Sequence, residues 1–211
     1  MKIYQTPEIE TWDRYYRSNF FNSLTGFKSV NLIGSIDKNG KPNLAIFSSI
    51  VHIGSNPPLV GFINRPIKAS PHTLVNIEAT KVYTINHIQP SFLSKAHQTS
   101  AKYEEHISEF EEVGLTPEFH PNIEAPFVKE SDIKYALSLQ QIIPIELNNT
   151  FLVIGKIISV QIKDDVVAED GYIHLEKANS ICSNGNDGYY KTELIARFQY
   201  AKVGILPQEI K

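Results

Sequence analysis

A largely antiparallel β-barrel with peripheral helices is the architecture that this sequence predicts, a mainly β fold in 211 residues. Three observations carry that expectation. Strand-like runs outnumber helical ones, and most neighbouring runs are joined by turns too short for a parallel crossover. At 42% hydrophobic and 20% charged residues, the chain has an ordinary globular balance and can bury a core without staples. One domain over residues 1–211 is expected, led by an N-terminal arm of residues 1–24.

The first strand is read over Val30 to Ile36, and Asp37-Lys38-Asn39-Gly40-Lys41 after it carries the Asn-Gly signal of a hairpin. Leu44 to Ile53 is the return strand, ended by Gly54-Ser55-Asn56-Pro57-Pro58, and Leu59 to Asn64 is the third. The period then changes. Ser70 is suited to cap a helix with Pro71 at its first position, and His72 to Thr80 buries either Leu74 and Ile77 or Val75 and Ile77, according to phase. Val82 to Ile88 is a further strand. Ser91 to Tyr103 and Ser108 to Val113 read as helices, the second stopped by Gly114.

Residues 115–130 hold three prolines and read as an irregular surface loop. Two long strands follow, Tyr135 to Glu146 and Phe151 to Ile162, turned by Asn148-Asn149; short strands at Tyr172 to Leu175 and Leu194 to Phe198 close the chain. The aromatic tract from Tyr4 to Phe21 suits an edge cover or a contact with a partner subunit.

Several function classes lose support. A net charge of −3 argues against nucleic acid or an anionic membrane as the main partner. One cysteine, Cys182, allows no internal disulfide and no cysteine-rich metal site. The seven histidines lack metal-binding spacing, and Asp164 to Glu176 fails as a calcium loop because Lys177 falls on the last ligand position. No nucleophile elbow, phosphate-binding loop or G-x-G-x-x-G motif is present. No apolar run approaches a bilayer span, and no signal-like segment opens the chain, so a cytoplasmic location is expected.

One stretch concentrates the chemistry. Arg65 and Lys68 follow a strand end and lead into the helix start at Ser70-Pro71-His72-Thr73. Free N–H groups, two cations and a hydroxyl make a natural phosphate site, although a solvated basic loop before an ordinary cap fits the same residues. Upstream, Leu44-Ala45-Ile46-Phe47-Ser48-Ser49 offers small residues and hydroxyls that let a planar ring approach the backbone; a strand edge with solvent-facing serines is the plain alternative.

Taken together, residues 25–200 resemble the flavin reductase-like family with the FMN-binding split barrel. The resemblance rests on Asn31-Leu32-Ile33, Asp37, Gly40, Pro42-Asn43-Leu44-Ala45 and Ser48-Ser49. It continues through Pro57-Pro58-Leu59-Val60, His72-Thr73, Asn76-Ile77 and Tyr83-Thr84-Ile85-Asn86. Glu109-Phe110, Gly114-Leu115-Thr116 and Leu152 to Ile157 complete it. It implies that Asn43, Ala45, Ser48 and Ser49 line the ring and ribityl chain of FMN, while Asn64, Arg65, Lys68, His72 and Thr73 surround its phosphate. Asn76 and Asn86 are implied as supports. His72 departs from the acidic residue more usual before the threonine, and the Glu-Cys pair frequent near Tyr135-Ala136 is absent. The resemblance further implies a homodimer and NAD(P)H as hydride donor, with a flavoredoxin-like electron carrier without nicotinamide reactivity as the alternative. No catalytic acid, base or nucleophile is nominated, because the flavin ring itself accepts hydride.

Overall fold

The computed structural model describes residues 1–66, 71–104 and 106–210. Two short helices, α1 (Thr6–Glu10) and α2 (Arg14–Leu24), come first. They lead into β1 (Lys28–Ser29), β2 (Asn31–Ile36), β3 (Pro42–Phe47), β4 (Val51–Ser55) and β5 (Pro58–Asn64). Next come α3 (Pro71–Thr80), β6 (Val82–His87), α4 (Leu93–Gln98) and α5 (Glu109–Val113). The chain continues with β7 (Pro117–His120), β8 (Ile123–Val128), β9 (Ile133–Ile145) and β10 (Thr150–Ile162), then β11 (Ile181–Asn184) and β12 (Gly188–Lys191).

Seven strands form an antiparallel sheet in the order β3-β2-β6-β9-β10-β5-β4. Its two edges, β3 and β4, are consecutive in the chain and separated only by Ser48, Ser49 and Ile50. Such a link reaches about 14 Å at full extension. The edges of a flat seven-stranded sheet would stand about 29 Å apart. The sheet therefore has to curl until its edges meet. Ser49 fastens the junction, its hydroxyl donating to the Ile63 carbonyl and accepting from the Ile63 N–H, both at 3.1 Å.

The single return strand expected over Leu44 to Ile53 is thus two strands at opposite edges. A strand propensity continuous through Phe47 gives way at Ser48-Ser49, where side-chain bonds to β5 replace the ladder.

Both faces of the curled sheet are covered. Ile33, Phe47, Phe62, Tyr83, Ile85 and Leu137 share one apolar cluster, into which α3 lays Leu74 and Ile77. Val75 is exposed, which settles the phase of that helix. Leu32, Leu44, Ile88, Phe92, Phe110 and Val128 form the second cluster. Neighbours such as Leu32 and Ile33 enter opposite clusters because successive strand side chains alternate faces.

Three other expectations change. Residues 115–130 contain the hairpin β7–β8, with Ala125, Phe127 and Val128 buried. The prolines misled here, because β8 is held to the main sheet largely through side chains. Thr84 donates to the Pro126 carbonyl at 2.6 Å, and Asn86 Oδ1 accepts from the Val128 N–H at 2.9 Å. Gly34 permits that crossing, since a Cβ there would stand 2.2 Å from the Pro126 carbonyl oxygen. The helix expected to Tyr103 ends at Gln98. The strands expected at Tyr172 to Leu175 and Leu194 to Phe198 are only isolated bridges, Val167 to Ile173 and Phe198 to Glu209; the ladder instead forms at β11–β12, whose Asn-Gly-Asn-Asp turn went unread.

The N-terminal arm buries no residue in either helix. Its rings pack on one another, Trp12 meeting Tyr4 at 5.0 Å and Phe20 at 4.9 Å edge to face. Asp13 caps α2 by accepting from the Tyr15 and Tyr16 N–H groups, which holds its carboxyl below the usual range.

His87, at the end of β6, bonds Ser180 Oγ through Nδ1 at 3.0 Å and lies beside Tyr135. Burial lowers its pKa to about 4. The unfolded ring takes a proton near pH 6.5 whereas the folded ring stays neutral, so His87 removes stability as the pH falls from 6.5 to about 4. The loss can reach about 3 kcal/mol. Urea unfolding at pH 7.5 and pH 4.5 is expected to show a smaller difference between the two pH values for His87→Gln than for the wild-type chain.

Candidate functional site

β3 is an edge strand, and its free edge is divided between a helix and a cavity. At its start, Ser108 Oγ donates to the Pro42 carbonyl at 2.8 Å. The Leu44 N–H donates to Glu109 Oε2 at 3.0 Å. The first turn of α5 thereby covers the N-terminal half of the edge. Strand geometry repeats every two residues, so Ile46 turns its N–H and C=O along the same edge as Leu44. Past Glu109 that edge borders a cavity of about 790 Å³, lined in part by Ala45, Ile46, Phe47, Ser48 and Ser49.

Glu109 also lines the cavity and is only 6% exposed. Burial raises its pKa, while the bond from Leu44 opposes that shift and the charges of His72 and Lys41 pull in the same opposing direction. The carboxylate is therefore primarily a clasp for β3.

Asn43 begins a buried polar chain beside the clasp. Its Nδ2 donates to Ser35 Oγ at 3.2 Å and to Thr73 Oγ1 at 3.3 Å, and Asn76 Nδ2 donates to the same Ser35 oxygen at 3.3 Å. Thr73 accepts here, which leaves its own O–H to donate elsewhere. Thr73 and His72, in the first turn of α3, both line the cavity. Arg65 lines it from the end of β5, with its guanidinium 3.4 Å from Asn186 Oδ1.

The structure therefore brings together seven of the sequence-predicted residues: Asn43, Ala45, Ser48, Ser49, Arg65, His72 and Thr73. Their contributions differ. Ser49 has its hydroxyl engaged by Ile63, whereas that of Ser48 has no bond to a described residue.

Asn64, Asn76 and Asn86 do not line the cavity. Asn64 is fully buried and donates to the Arg65 carbonyl at 2.7 Å. Asn76 acts on the cavity only through Ser35, and Asn86 ties β2 and β6 to β8 through Leu32, Thr84 and Val128. The resemblance implied Asn64 at the phosphate and Asn76 and Asn86 as supports; strand alternation or helix phase turns each away from the cavity. Lys68 lies outside the described residues.

Sequence reasoning missed Lys28 and Ser183 on the far wall. Lys28, Ser183 and Tyr189 occupy one row of the three-stranded sheet β1-β11-β12, since Ser183 pairs with Lys28 on one side and Tyr189 on the other. All three line the cavity. Lys28 Nζ donates to the Asn22 carbonyl at 2.6 Å, and Tyr189 OH is 2.6 Å from His97 Nδ1. The readable signal was the glycine-bearing turn between Ser183 and Tyr189.

A cavity of this size, with one apolar strand edge and several fixed polar groups, fits an organic ligand of about 300–1,000 Å³ sites. The basic side chains Lys28, Arg65 and Lys102 outnumber the acidic Glu109 and Asp187 on its wall, which favours an anionic ligand. Among the described residues no cluster suited to a metal ion occurs.

Residues 27–180 match the family model described as flavin reductase like domain. A split-barrel-domain protein of Shewanella frigidimarina NCIMB 400, assigned as a flavin reductase, is 44% identical with a TM-score of 0.92, over 95% of this chain and 100% of that one. Nitrilotriacetate monooxygenase component B from Bacillus cereus is 21% identical with a TM-score of 0.82, over 96% of this chain and 99% of that one. Flavoredoxin of Desulfovibrio vulgaris (Miyazaki F) is 22% identical with a TM-score of 0.70, over 84% and 91%. The latter two likenesses establish the split-barrel fold and nothing further.

Glu109→Ala is expected to destabilise the chain by about 1–3 kcal/mol, because it strands the Leu44 N–H. Glu109→Gln keeps an acceptor and should cost well under half as much. Urea midpoints at constant m-value distinguish the two.

Proposed function

Since the chain belongs to the flavin reductase-like family, we propose that it binds FMN in the cavity beside the Phe47–Val51 junction and takes hydride from NAD(P)H. The observation that carries this reading is the convergence of two unlike sets of groups on one cavity. Arg65 at the end of β5 and His72 and Thr73 in the first turn of α3 supply polar and basic groups, and Ala45, Ile46 and Ser48 offer a flat strand edge.

The residues fit the group. Arg65 and the N-terminal N–H groups of α3 suit the phosphate, and the O–H of Thr73, left free because Asn43 supplies that oxygen with a donor, suits an anionic acceptor. The Ile46 backbone offers one donor and one acceptor to a planar heterocycle, and Ala45 leaves room for it. Ser48 adds a hydroxyl.

Bound FMN supplies the hydride-accepting ring, so the protein's share is binding, orientation and exclusion of water. Glu109 and Ser108 hold β3 from one side, and Ser49 fixes its far end to β5. The ring-facing backbone is thereby clamped at both ends. No side chain is assigned as acid, base or nucleophile.

A homodimer in the cytoplasm belongs to the same reading. Among the described residues no helix is long and apolar enough to cross a membrane. Supporting self-association, the C-terminal segment carries Ile195, Tyr200, Val203 and Leu206, all more than 85% exposed. Isolated apolar side chains are ordinary on a monomer, and four so exposed on one short segment support the dimer reading. In sedimentation, Ile195→Asp combined with Leu206→Asp is expected to shift a dimer toward monomer without loss of the far-ultraviolet spectrum.

Flavin titration tests the cofactor. FMN at 100-fold over its dissociation constant is expected to stabilise the chain by about 2.7 kcal/mol. Arg65→Ala should weaken FMN about ten- to a hundred-fold and leave riboflavin, which has no phosphate, nearly unchanged. A chain that neither retains flavin colour nor is stabilised by FMN excludes the proposal. If FMN stays bound through gel filtration and NAD(P)H fails to bleach it, the protein is an electron carrier of the flavoredoxin kind instead.

A further inference from the structure

The family match ends at residue 180, yet part of the cavity wall comes from beyond it. Ser183, Asn186 and Tyr189 belong to the hairpin β11–β12, which reaches the main sheet through β1 and through the Ile181 N–H, bonded to the Ile88 carbonyl at 3.1 Å. Ser183 is the informative residue. It is 2% exposed, it lines the cavity, and its hydroxyl has no hydrogen-bond partner among the described residues. Burying a hydroxyl without a partner is unfavourable, so such a group in a native wall calls for an explanation.

Its surroundings say what kind of partner fits. Ser183 stands in the row between Lys28 and Tyr189, and the same region of the wall carries Val30 and Ile46, which belong to or pack against one apolar cluster with Tyr189. A hydroxyl set beside an aliphatic and aromatic surface suits the ring or ribityl part of a flavin. Of the phosphate-suited groups, His72 and Thr73 come from α3, and Arg65, at the end of β5, meets the hairpin at its turn through Asn186.

Resting on the flavin reading above, we propose that β11–β12 is a second wall of the flavin site and that the Ser183 hydroxyl hydrogen-bonds the non-phosphate part of the bound flavin. The sheet β1-β11-β12 then faces the ligand opposite in role to β3: β3 contributes backbone groups and this sheet contributes side chains.

Ser183→Ala in the full-length chain tests this, with FMN and riboflavin titrated separately and thermal unfolding followed without ligand. The dissociation constants of both flavins are expected to rise by the same factor, about 2- to 13-fold for one lost neutral hydrogen bond. The unliganded melting temperature should hold or increase, because the substitution removes a buried hydroxyl that has no protein partner. A purely structural serine would instead lower that temperature. Unchanged affinity for both flavins, or a loss confined to FMN, overturns the assignment while leaving the flavin reading intact. A wild-type chain that binds neither flavin overturns both.

Discussion

Three residues, Ser48 to Ile50, tie the two edges of a seven-stranded sheet to each other, and most of the architecture follows from that tie. A link so short forbids a flat sheet. Once the edges meet, β3 and β4 cannot continue as one ladder, so the chain must break from regular pairing at the junction. Ser49 absorbs that break by giving its hydroxyl to both backbone groups of Ile63. The concave ground beside the junction, bounded by the unpaired edge of β3, is the cavity.

An open strand edge invites unwanted pairing unless something covers it. Here the cover is partial. Ser108 and Glu109 satisfy the edge at Pro42 and Leu44, and the arrangement stops where the cavity begins. The same strand is therefore anchored in one half and available in the other. Its anchoring carboxylate is buried, with a raised pKa, and one residue before Leu44 the Asn43 amide donates to both Ser35 and Thr73, which ties β3 to the start of α3.

How much of this was readable depended on the range of the interactions involved. The hairpin at Asp37 to Lys41, the two long strands around Asn148-Asn149, the stop at Gly114 and the helix after Pro71 all rest on local chemistry, and the structure has them in place. Residues 117–128 were misread, and 181–191 left without an element, for the opposite reason. Their pairing is stabilised by distant groups, such as Thr84 on the Pro126 carbonyl and Lys28 beside Ser183. Within the candidate site the division is the same. Asn43, Arg65 and Thr73 were found from a compact segment, whereas Ser183 and Tyr189 enter from more than a hundred residues away.

By itself, the sequence determined a mainly antiparallel β fold and grouped one set of candidate cavity residues, because alternation, turn residues and a helix start act over a few neighbouring positions; the family was legible as a resemblance in its motifs. Only the tertiary structure decided which of the clustered polar residues face that cavity. Asn64, Asn76 and Asn86 lie beside site residues in sequence yet do not line the cavity: Asn64 and Asn76 donate to the Arg65 carbonyl and to Ser35, and Asn86 holds the sheet-to-β8 crossing. Ser183 lies far away in sequence yet lines the cavity, its buried hydroxyl without a partner among the described residues. Facing direction is set by how strands register and where edges close, and closure is a property of the whole sheet.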